Sequence, residues 1–129
     1  MYAVQPEGCA PVVRALADGA PNVTPWLDPT TVAPGLLVPS PFSSERILEA
    51  VRESRGGGVA VCDREIVGAM RDLATQHGIS ASPEAAAPYA ALPKLLQEGT
   101  VRPGERVLLY LTGTGLTFSV EEIERSLPS

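Results

Sequence analysis

Continuous apolar runs of four or five residues divide this 129-residue chain and predict short strands. Runs of this length, bounded by turn residues, are typical of strands buried on both faces of a parallel sheet. The predicted strands are residues 2–5, 59–62 and 107–111, with a short strand or extended stretch at 79–82.

Between these runs, apolar residues recur three and four positions apart, which is the period of a helix with one buried face. The predicted helices are residues 9–18, 45–54, 63–77 and 83–98, followed by a short last helix opened by the capping box at 119–122. Strands and helices therefore alternate along the chain. This order predicts a single α/β domain over residues 1–129, with three αβα layers and a mostly parallel sheet.

Capping residues support the two longest helices. Asp63 is expected to cap the helix that ends at His77, and His77 is interpreted as a surface residue at a helix end. Ser82-Pro83-Glu84 combines an N-cap hydroxyl, a proline at the first helical position and a carboxylate in the first turn. Two prolines inside the helix that follows, Pro88 and Pro93, predict a kink or a break into two pieces.

Residues 20–41 have a different composition, because six prolines are interspersed with apolar side chains. Such a stretch cannot be a helix and is a poor central strand. We interpret it as an ordered surface excursion packed on the body of the domain. It either carries function or is a rigid cover over apolar surface.

Two glycine-rich stretches invite a ligand-binding interpretation. Gly56-Gly57-Gly58 precedes a strand, whereas a phosphate loop follows a strand and opens a helix, so we interpret it as a flexible link. Thr112-Gly113-Thr114-Gly115 instead follows an apolar run, at the strand end where open α/β sheets bind ligands. Its glycines allow close approach to a ligand, or simply a tight turn leaving a central strand.

Charge and cysteine content narrow the classes of function. The formal net charge of −5 disfavours nonspecific binding to nucleic acid or to an anionic membrane, because both require a basic surface. No apolar run approaches the roughly 18 residues of a membrane span, and the N-terminal residues lack a signal-peptide pattern. Cys9 and Cys62 form neither a close pair nor part of a metal-ligand cluster. We therefore expect a cytoplasmic protein with two reduced, packing cysteines and no metal.

Four spaced motifs cover nearly the whole chain. They are Val4-Gln5-Pro6-Glu7-Gly8-Cys9-Ala10-Pro11; Ala50-Val51-Arg52-Glu53-Ser54 leading to Val59-Ala60-Val61-Cys62-Asp63; Ile79-Ser80-Ala81-Ser82-Pro83-Glu84-Ala85-Ala86-Ala87; and Thr112-Gly113-Thr114-Gly115-Leu116. Together they resemble the C-terminal part of threonine synthase, a fold-type II pyridoxal-phosphate enzyme. The resemblance implies the large-domain fold of that class and a role in converting O-phosphohomoserine and water to threonine and phosphate.

The resemblance also implies a cofactor contact. The last strand of such enzymes ends in a Thr-Gly or Ser-Gly turn whose hydroxyl meets the pyridine nitrogen of pyridoxal phosphate, and Thr112 and Gly113 match that turn. A neutral hydroxyl at this nitrogen leaves the ring less electron-poor than a carboxylate would, which suits elimination and replacement chemistry.

Several departures from the family pattern bear on activity. The family usually has Glu-Pro at Ser82-Pro83 and Gly-Leu-Lys at Gly115-Leu116-Thr117. The N-terminal lysine motif and the glycine-rich phosphate loop of the family have no counterpart in this sequence. Its sole lysine, Lys94, lacks a matching context and is interpreted as a solvated helix residue. Without an amine no internal Schiff base forms, so we expect an incomplete pyridoxal-phosphate site and no catalytic residue in this chain.

Two interpretations remain. In the first, the chain is part of a split or shortened threonine synthase-like enzyme, partnered by a lysine-bearing N-terminal part or by self-association through an apolar patch and an unpaired sheet edge. In the second, it is a non-catalytic α/β binding or assembly module. A nucleotide-binding domain is disfavoured, because Glu7-Gly8-Cys9-Ala10 after the first strand lacks the glycine pattern that such domains require.

Overall fold

The computed structural model describes residues 1–117 and Ile123, and the predicted helix at 119–122 lies outside the described residues. Helices and strands follow the order β1 (Tyr2–Pro6), α1 (Pro11–Ala17), α2 (Ser44–Glu53), β2 (Gly57–Val61), α3 (Asp63–His77) and α4 (Pro83–Gln97). Short 3-10 turns occur at Glu7–Cys9, Pro34–Leu36 and Gly115–Thr117. Among the described residues, no helix is long and apolar enough to cross a membrane.

The two strands pair in parallel, and helices cover both faces of the pair. Tyr2 lies opposite Gly57 and Pro6 opposite Val61. Val59 and Val61 join the buried cluster formed with α3 and α4. Successive strand residues face opposite sides, and accordingly Gly58 lies against α1. The predicted α/β class with parallel strands is confirmed, as part of a three-layer domain.

Glycines make the close strand pairing possible. Gly57 and Gly58 belong to β2, so the prediction of a flexible link at 56–58 is wrong for these two residues. A Cβ atom at Gly56 would collide with the Met1 carbonyl, and one at Gly58 would lie 3.0 Å from the Cα atom of Val13. A side chain at Gly56 would therefore displace the start of β1, and one at Gly58 would displace helix α1.

Helix α4 runs without interruption from Pro83 to Gln97, so Pro88 and Pro93 do not break it into two pieces. Ser82 is its N-cap and accepts the Ala85 N–H at 3.4 Å, which confirms the predicted start. Small buried side chains on one face let the helix lie close to the sheet. The fully buried ones are Ala85, Ala86, Ala87 and Ala91.

Lys94 is not the solvated helix residue that the sequence predicted. Its Nζ atom lies 2.8 Å from Glu65 Oε2 and donates to the Ala60 carbonyl of β2 at 2.9 Å. Glu7 lies 3.4 Å away. Burial opposes the charge, yet the two carboxylates raise the pKa of Lys94 above its usual value. The ammonium therefore ties α4 to β2 and to the start of α3.

The predicted buried strand at 107–111 is wrong for the described chain. These residues belong to no strand, and the side chains of Leu108 and Tyr110 are 76% and 72% exposed. A strand of a parallel sheet needs paired neighbours and covered faces. The local sequence favours a strand, but no neighbouring strand of the described chain pairs with it.

We predict that Ala91→Leu destabilises the fold by about 1–3 kcal/mol, because the larger side chain must displace the sheet or the helix. Ala91 is fully buried in the α4 layer. Gln97→Leu, at an exposed position of the same helix, is the matched control and should change the free energy of unfolding by less than about 0.5 kcal/mol. Urea unfolding of the three proteins measures both effects. Equal stability of the two variants would mean that α4 does not approach the sheet closely.

Candidate functional site

The turn predicted to hold a cofactor packs against the residues that lead into α4. The Ser82 N–H donates to the Gly113 carbonyl at 3.3 Å, and the Gly115 N–H donates to the Ser80 carbonyl at 2.9 Å. Thr114 forms an isolated antiparallel bridge with Ala81. The turn at 112–115 is therefore fixed by main-chain contacts to residues 80–82.

Both glycines of this turn are explained by the same contact. A Cβ atom at Gly113 would collide with Ser82 Oγ. At Gly115 it would lie 2.6 Å from Ser80 Oγ and 2.7 Å from the Ala81 carbonyl oxygen. Ser82 is 3% exposed and caps α4, so it has little room to move. The requirement for glycine thus comes from packing and does not depend on a ligand.

Thr112, in contrast, is exposed and borders a cavity with a volume of about 510 Å³. Among the described residues, no hydrogen bond involves the Thr112 hydroxyl. The cavity lies between β1, α4 and the segment 106–111. Apolar side chains dominate its walls, including Tyr2, Val4, Leu36, Leu92, Leu95 and Leu109.

Charged groups at the cavity are mostly acidic. Glu84 Oε1 accepts the Gly35 N–H at 2.8 Å, and Glu105 Oε2 accepts the Arg102 N–H at 2.9 Å. Burial opposes ionisation of Glu84, yet the Gly35 hydrogen bond and bonds near the helix start lower the pKa of this carboxyl below its usual value. Arg106 is the one basic side chain among the described lining residues.

The described walls of the cavity combine the Thr112 hydroxyl, which can hydrogen-bond a ring nitrogen, with charged side chains of both signs. For an anion such as a phosphate, Glu84 and Glu105 are unfavourable and Arg106 is favourable. Lys94 does not line the cavity, and its ammonium is held by Glu65 and the Ala60 carbonyl. Among the described residues, no lysine side chain lines this cavity.

Two acidic side chains have roles that the sequence did not reveal. Cys62, not Asp63, is the N-cap of α3. The Asp63 carboxylate instead accepts the Thr31 hydroxyl at 2.6 Å and the Val32 N–H at 3.1 Å. With Glu84 on Gly35, it fastens the excursion to the N-termini of α3 and α4. Both carboxylates lie in the first turn of a helix, where negative charge is favourable. Their positions in the sequence therefore could not show whether they cap the helix or bind the excursion.

The cysteines and the histidine lie outside the cavity that Thr112 borders. Both cysteines are free, and Cys9 is buried. His77 Nε2 lies 3.3 Å from the Tyr89 hydroxyl, which joins the end of α3 to α4. Within the described residues, no group of three His, Cys, Asp or Glu side chains is arranged to hold a metal ion.

Comparisons with known proteins bear on the role of this cavity. The model of the pyridoxal-phosphate dependent enzyme family matches residues 1–113. Threonine synthase of Methanosarcina acetivorans is 40% identical over 113 residues, which are 88% of this chain and 28% of that protein. Threonine synthase of Methanocaldococcus jannaschii is 36% identical over 116 residues, 90% of this chain and 29% of that protein. The chain thus spans less than a third of these relatives and matches their C-terminal portion.

Solved structures agree on the fold. The crystal structure of a threonine deaminase from T.th. superposes with a TM-score of 0.70 at 28% identity, over 92% of this chain and 40% of that one. A fungal L-serine ammonia-lyase from Rhizomucor miehei gives a TM-score of 0.71 at 19% identity, over 97% of this chain and 40% of that one. The second likeness shows the fold alone.

We predict that Gly113→Ala lowers the free energy of unfolding by about 1–3 kcal/mol, because its methyl group collides with Ser82 Oγ. Adding Ser82→Gly should restore most of the loss, since glycine is nearly as good an N-cap as serine. Gly68→Ala is the control: a Cβ there meets nothing within 4 Å, so we expect a gain of up to about 1 kcal/mol in α3. A double-mutant cycle by urea unfolding measures the coupling, and additive effects would contradict the contact.

We predict that Glu84→Gln loosens the excursion in a pH-dependent way. The lowered pKa means that the ionised carboxylate stabilises the fold above the ordinary pKa of 4.5, and that this contribution is lost as the pH falls through the folded-state pKa. The stability gap between wild type and variant should therefore be widest near neutral pH and close in acid. Urea unfolding between about pH 7 and 3 tests this, with Glu98→Gln, at the exposed C-cap position that follows α4, as the control. A gap that persists in acid would contradict it.

Proposed function

The chain belongs to the pyridoxal-phosphate dependent enzyme family, and we propose that it supplies the wall of a threonine synthase-like site that contacts the cofactor's pyridine nitrogen. The supporting observation is the position of Thr112. It directly follows segment 106–111, borders the cavity and has a hydroxyl without a partner among the described residues. Gly113 holds it there through the contact with Ser82.

The complete enzyme would convert O-phosphohomoserine and water to threonine and phosphate, within threonine biosynthesis in the cytoplasm. Two relatives in sequence are threonine synthases, which supports threonine as the product, while the substrates are those implied by the resemblance of the four motifs. The cofactor, when bound, supplies an electron sink for such chemistry. Thr112 would orient the ring by a neutral hydrogen bond at its nitrogen.

The chain alone is not proposed to catalyse the reaction. A Schiff base needs a free amine at the cofactor, and Lys94 is engaged by Glu65 and the Ala60 carbonyl away from the cavity. The missing amine would come from the lysine-bearing N-terminal part of such an enzyme.

A second candidate function is a non-catalytic binding or assembly module derived from such an enzyme. It is favoured by the glycines of the turn at 112–115, whose packing against residues 80–82 needs no ligand. It is also favoured by the exposed apolar side chains at 107–111, which suit protein association by this chain itself. The two candidates differ in whether Thr112 matters for cofactor binding.

We predict that Thr112→Val weakens binding of vitamin B6 compounds to the purified chain by about three- to tenfold, the worth of one neutral hydrogen bond. Calorimetric titration with pyridoxal phosphate should be repeated with pyridoxine phosphate, whose alcohol cannot form imines with Lys94 or the N-terminus. A third titration with pyridoxine, which lacks the phosphate, measures how much the anion contributes in a cavity lined by Glu84, Glu105 and Arg106.

Thr114→Val is the matched control for this titration. It removes a hydroxyl from the same turn, but Thr114 does not line the cavity and its Oγ1 accepts the Leu116 N–H at 3.3 Å. Its affinity should equal that of the wild type. Binding unaffected by Thr112→Val, or weakened equally by both variants, would favour the assembly module.

A further inference from the structure

The excursion meets helix α4 at Glu84. The 3-10 turn Pro34–Leu36, which we call the excursion tip, packs against the first turn of this helix. Glu84 Oε1 accepts the Gly35 N–H at 2.8 Å. A Cβ atom at Gly35 would lie 2.9 Å from Glu84 Cγ, so the tip lies directly on this side chain. The contact therefore restrains both the excursion tip and the Glu84 side chain.

Glu84 is also linked to Ser82, the N-cap of the same helix. Burial opposes ionisation of Glu84, yet hydrogen bonds that include one from the Ser82 hydroxyl lower the pKa of this carboxyl. Ser82 is 3% exposed, and its N–H donates to the Gly113 carbonyl at 3.3 Å. Its Oγ atom packs against Gly113, where a Cβ atom would collide with it. Ser82 thus lies between Glu84 and the turn that begins at Thr112.

Both ends of this series of contacts border the cavity. Leu36 of the excursion tip and Thr112 line its wall together with Glu84. The Thr112 hydroxyl has no hydrogen-bond partner among the described residues, so its position depends on the residues that hold its neighbours. The next residue, Gly113, is held by Ser82. A group that restrains Ser82 therefore also restrains Thr112.

Asp63 holds the same excursion without a link to this turn. Its carboxylate accepts the Thr31 hydroxyl at 2.6 Å and the Val32 N–H at 3.1 Å. It lies in the first turn of α3 and does not line the cavity. Within the part of the chain that the structure describes, it has no hydrogen bond to residues 80–82 or 112–115. Asp63 therefore separates attachment of the excursion in general from the particular link through Glu84.

We propose that Glu84 is a positioning residue, which transmits the attachment of the excursion through Ser82 and so fixes the Thr112 hydroxyl at the cavity. The inference rests on the proposed function, because it concerns how Thr112 is placed to bind the cofactor ring. Glu84 is not proposed to contact the ring nitrogen. Its influence on ring binding is therefore expected to depend on the Thr112 hydroxyl.

Amide hydrogen exchange tests the positioning without any ligand. The reporters are the Ser82 and Gly115 N–H groups, which form main-chain hydrogen bonds between the turn and the residues before α4. Glu84→Ala should speed their exchange by about tenfold or more relative to the amides of β2, because a less firmly held turn opens more often. Asp63→Ala is the matched control. It also removes a first-turn carboxylate that holds the excursion, and it should change exchange at the reporters by less than about twofold.

Gly35→Ala perturbs the same contact from the excursion and leaves the sequence of α4 unchanged. Its methyl group must displace the Glu84 side chain, since the Cβ atom would lie 2.9 Å from Cγ. Exchange at the two reporters should again rise, by about threefold or more. This variant distinguishes positioning from fraying of the helix start, which loss of a first-turn carboxylate also promotes. It also keeps the test decisive if Glu84→Ala does not fold.

Calorimetric titration with pyridoxine measures the consequence for binding. Pyridoxine carries no phosphate, so removal of the Glu84 charge does not strengthen its binding by relieving repulsion of an anion. In the wild-type background, Thr112→Val should weaken pyridoxine binding about three- to tenfold. In the Glu84→Ala background the same substitution should change the affinity by less than about twofold, because the hydroxyl is no longer held in place. In the Asp63→Ala background its full effect should remain.

Three results would overturn the proposal. The first is unchanged exchange at the reporters in both Glu84→Ala and Gly35→Ala. The second is equal acceleration by Asp63→Ala, which would indicate a general loosening of the excursion. The third is an undiminished effect of Thr112→Val in the absence of Glu84. The proposed function fails separately: if Thr112→Val had no effect on the wild type, the cofactor contact would be wrong, and the exchange rates would still decide whether Glu84 positions the turn.

Discussion

The parallel pairing of β1 with β2 is the constraint on which the rest of the structure depends. Parallel strands satisfy their main chains only through neighbours, and both faces must be covered. Helix α4 covers one face through alanines, and α1 approaches the other at Gly58. The helices lie so close to the strands that only small residues fit at these contacts. A two-stranded sheet nevertheless leaves two open edges, and the described chain handles them differently.

At the β2 edge, charged side chains bond main-chain groups that a further strand could otherwise pair with. Lys94 reaches across from α4 to the Ala60 carbonyl, and Glu65 holds both the ammonium and the Cys62 N–H. At the β1 edge lies the cavity, and the Thr112 hydroxyl at its end has no hydrogen-bond partner among the described residues. Side-chain donors and acceptors thus close one edge, while the other offers main-chain groups to a partner.

Local signals predicted the helices and not their surroundings. The start of α4 at Ser82 was predictable because hydroxyl, proline and carboxylate act within one turn. The interruption expected at Pro88 did not occur, since burial of the alanine face outweighs the local cost. The roles of Asp63 and Lys94 depend on segments more than 30 residues away, which periodicity does not report. The prediction of a strand at 107–111 was wrong for the same reason, because a strand needs a neighbouring strand and local sequence does not show whether one is present.

The outer edge of β1 and Thr112 border the same cavity. A hydroxyl recognises a ring nitrogen only when its position is fixed to within a fraction of an ångström. Thr112 is anchored on one side by the contact of Gly113 with Ser82, while on the other side it continues into an unpaired segment. Ordering of segment 106–111 would remove that freedom. If Thr112 binds the proposed cofactor, ordering of this segment and cofactor binding are thermodynamically coupled, since each stabilises the arrangement that the other requires.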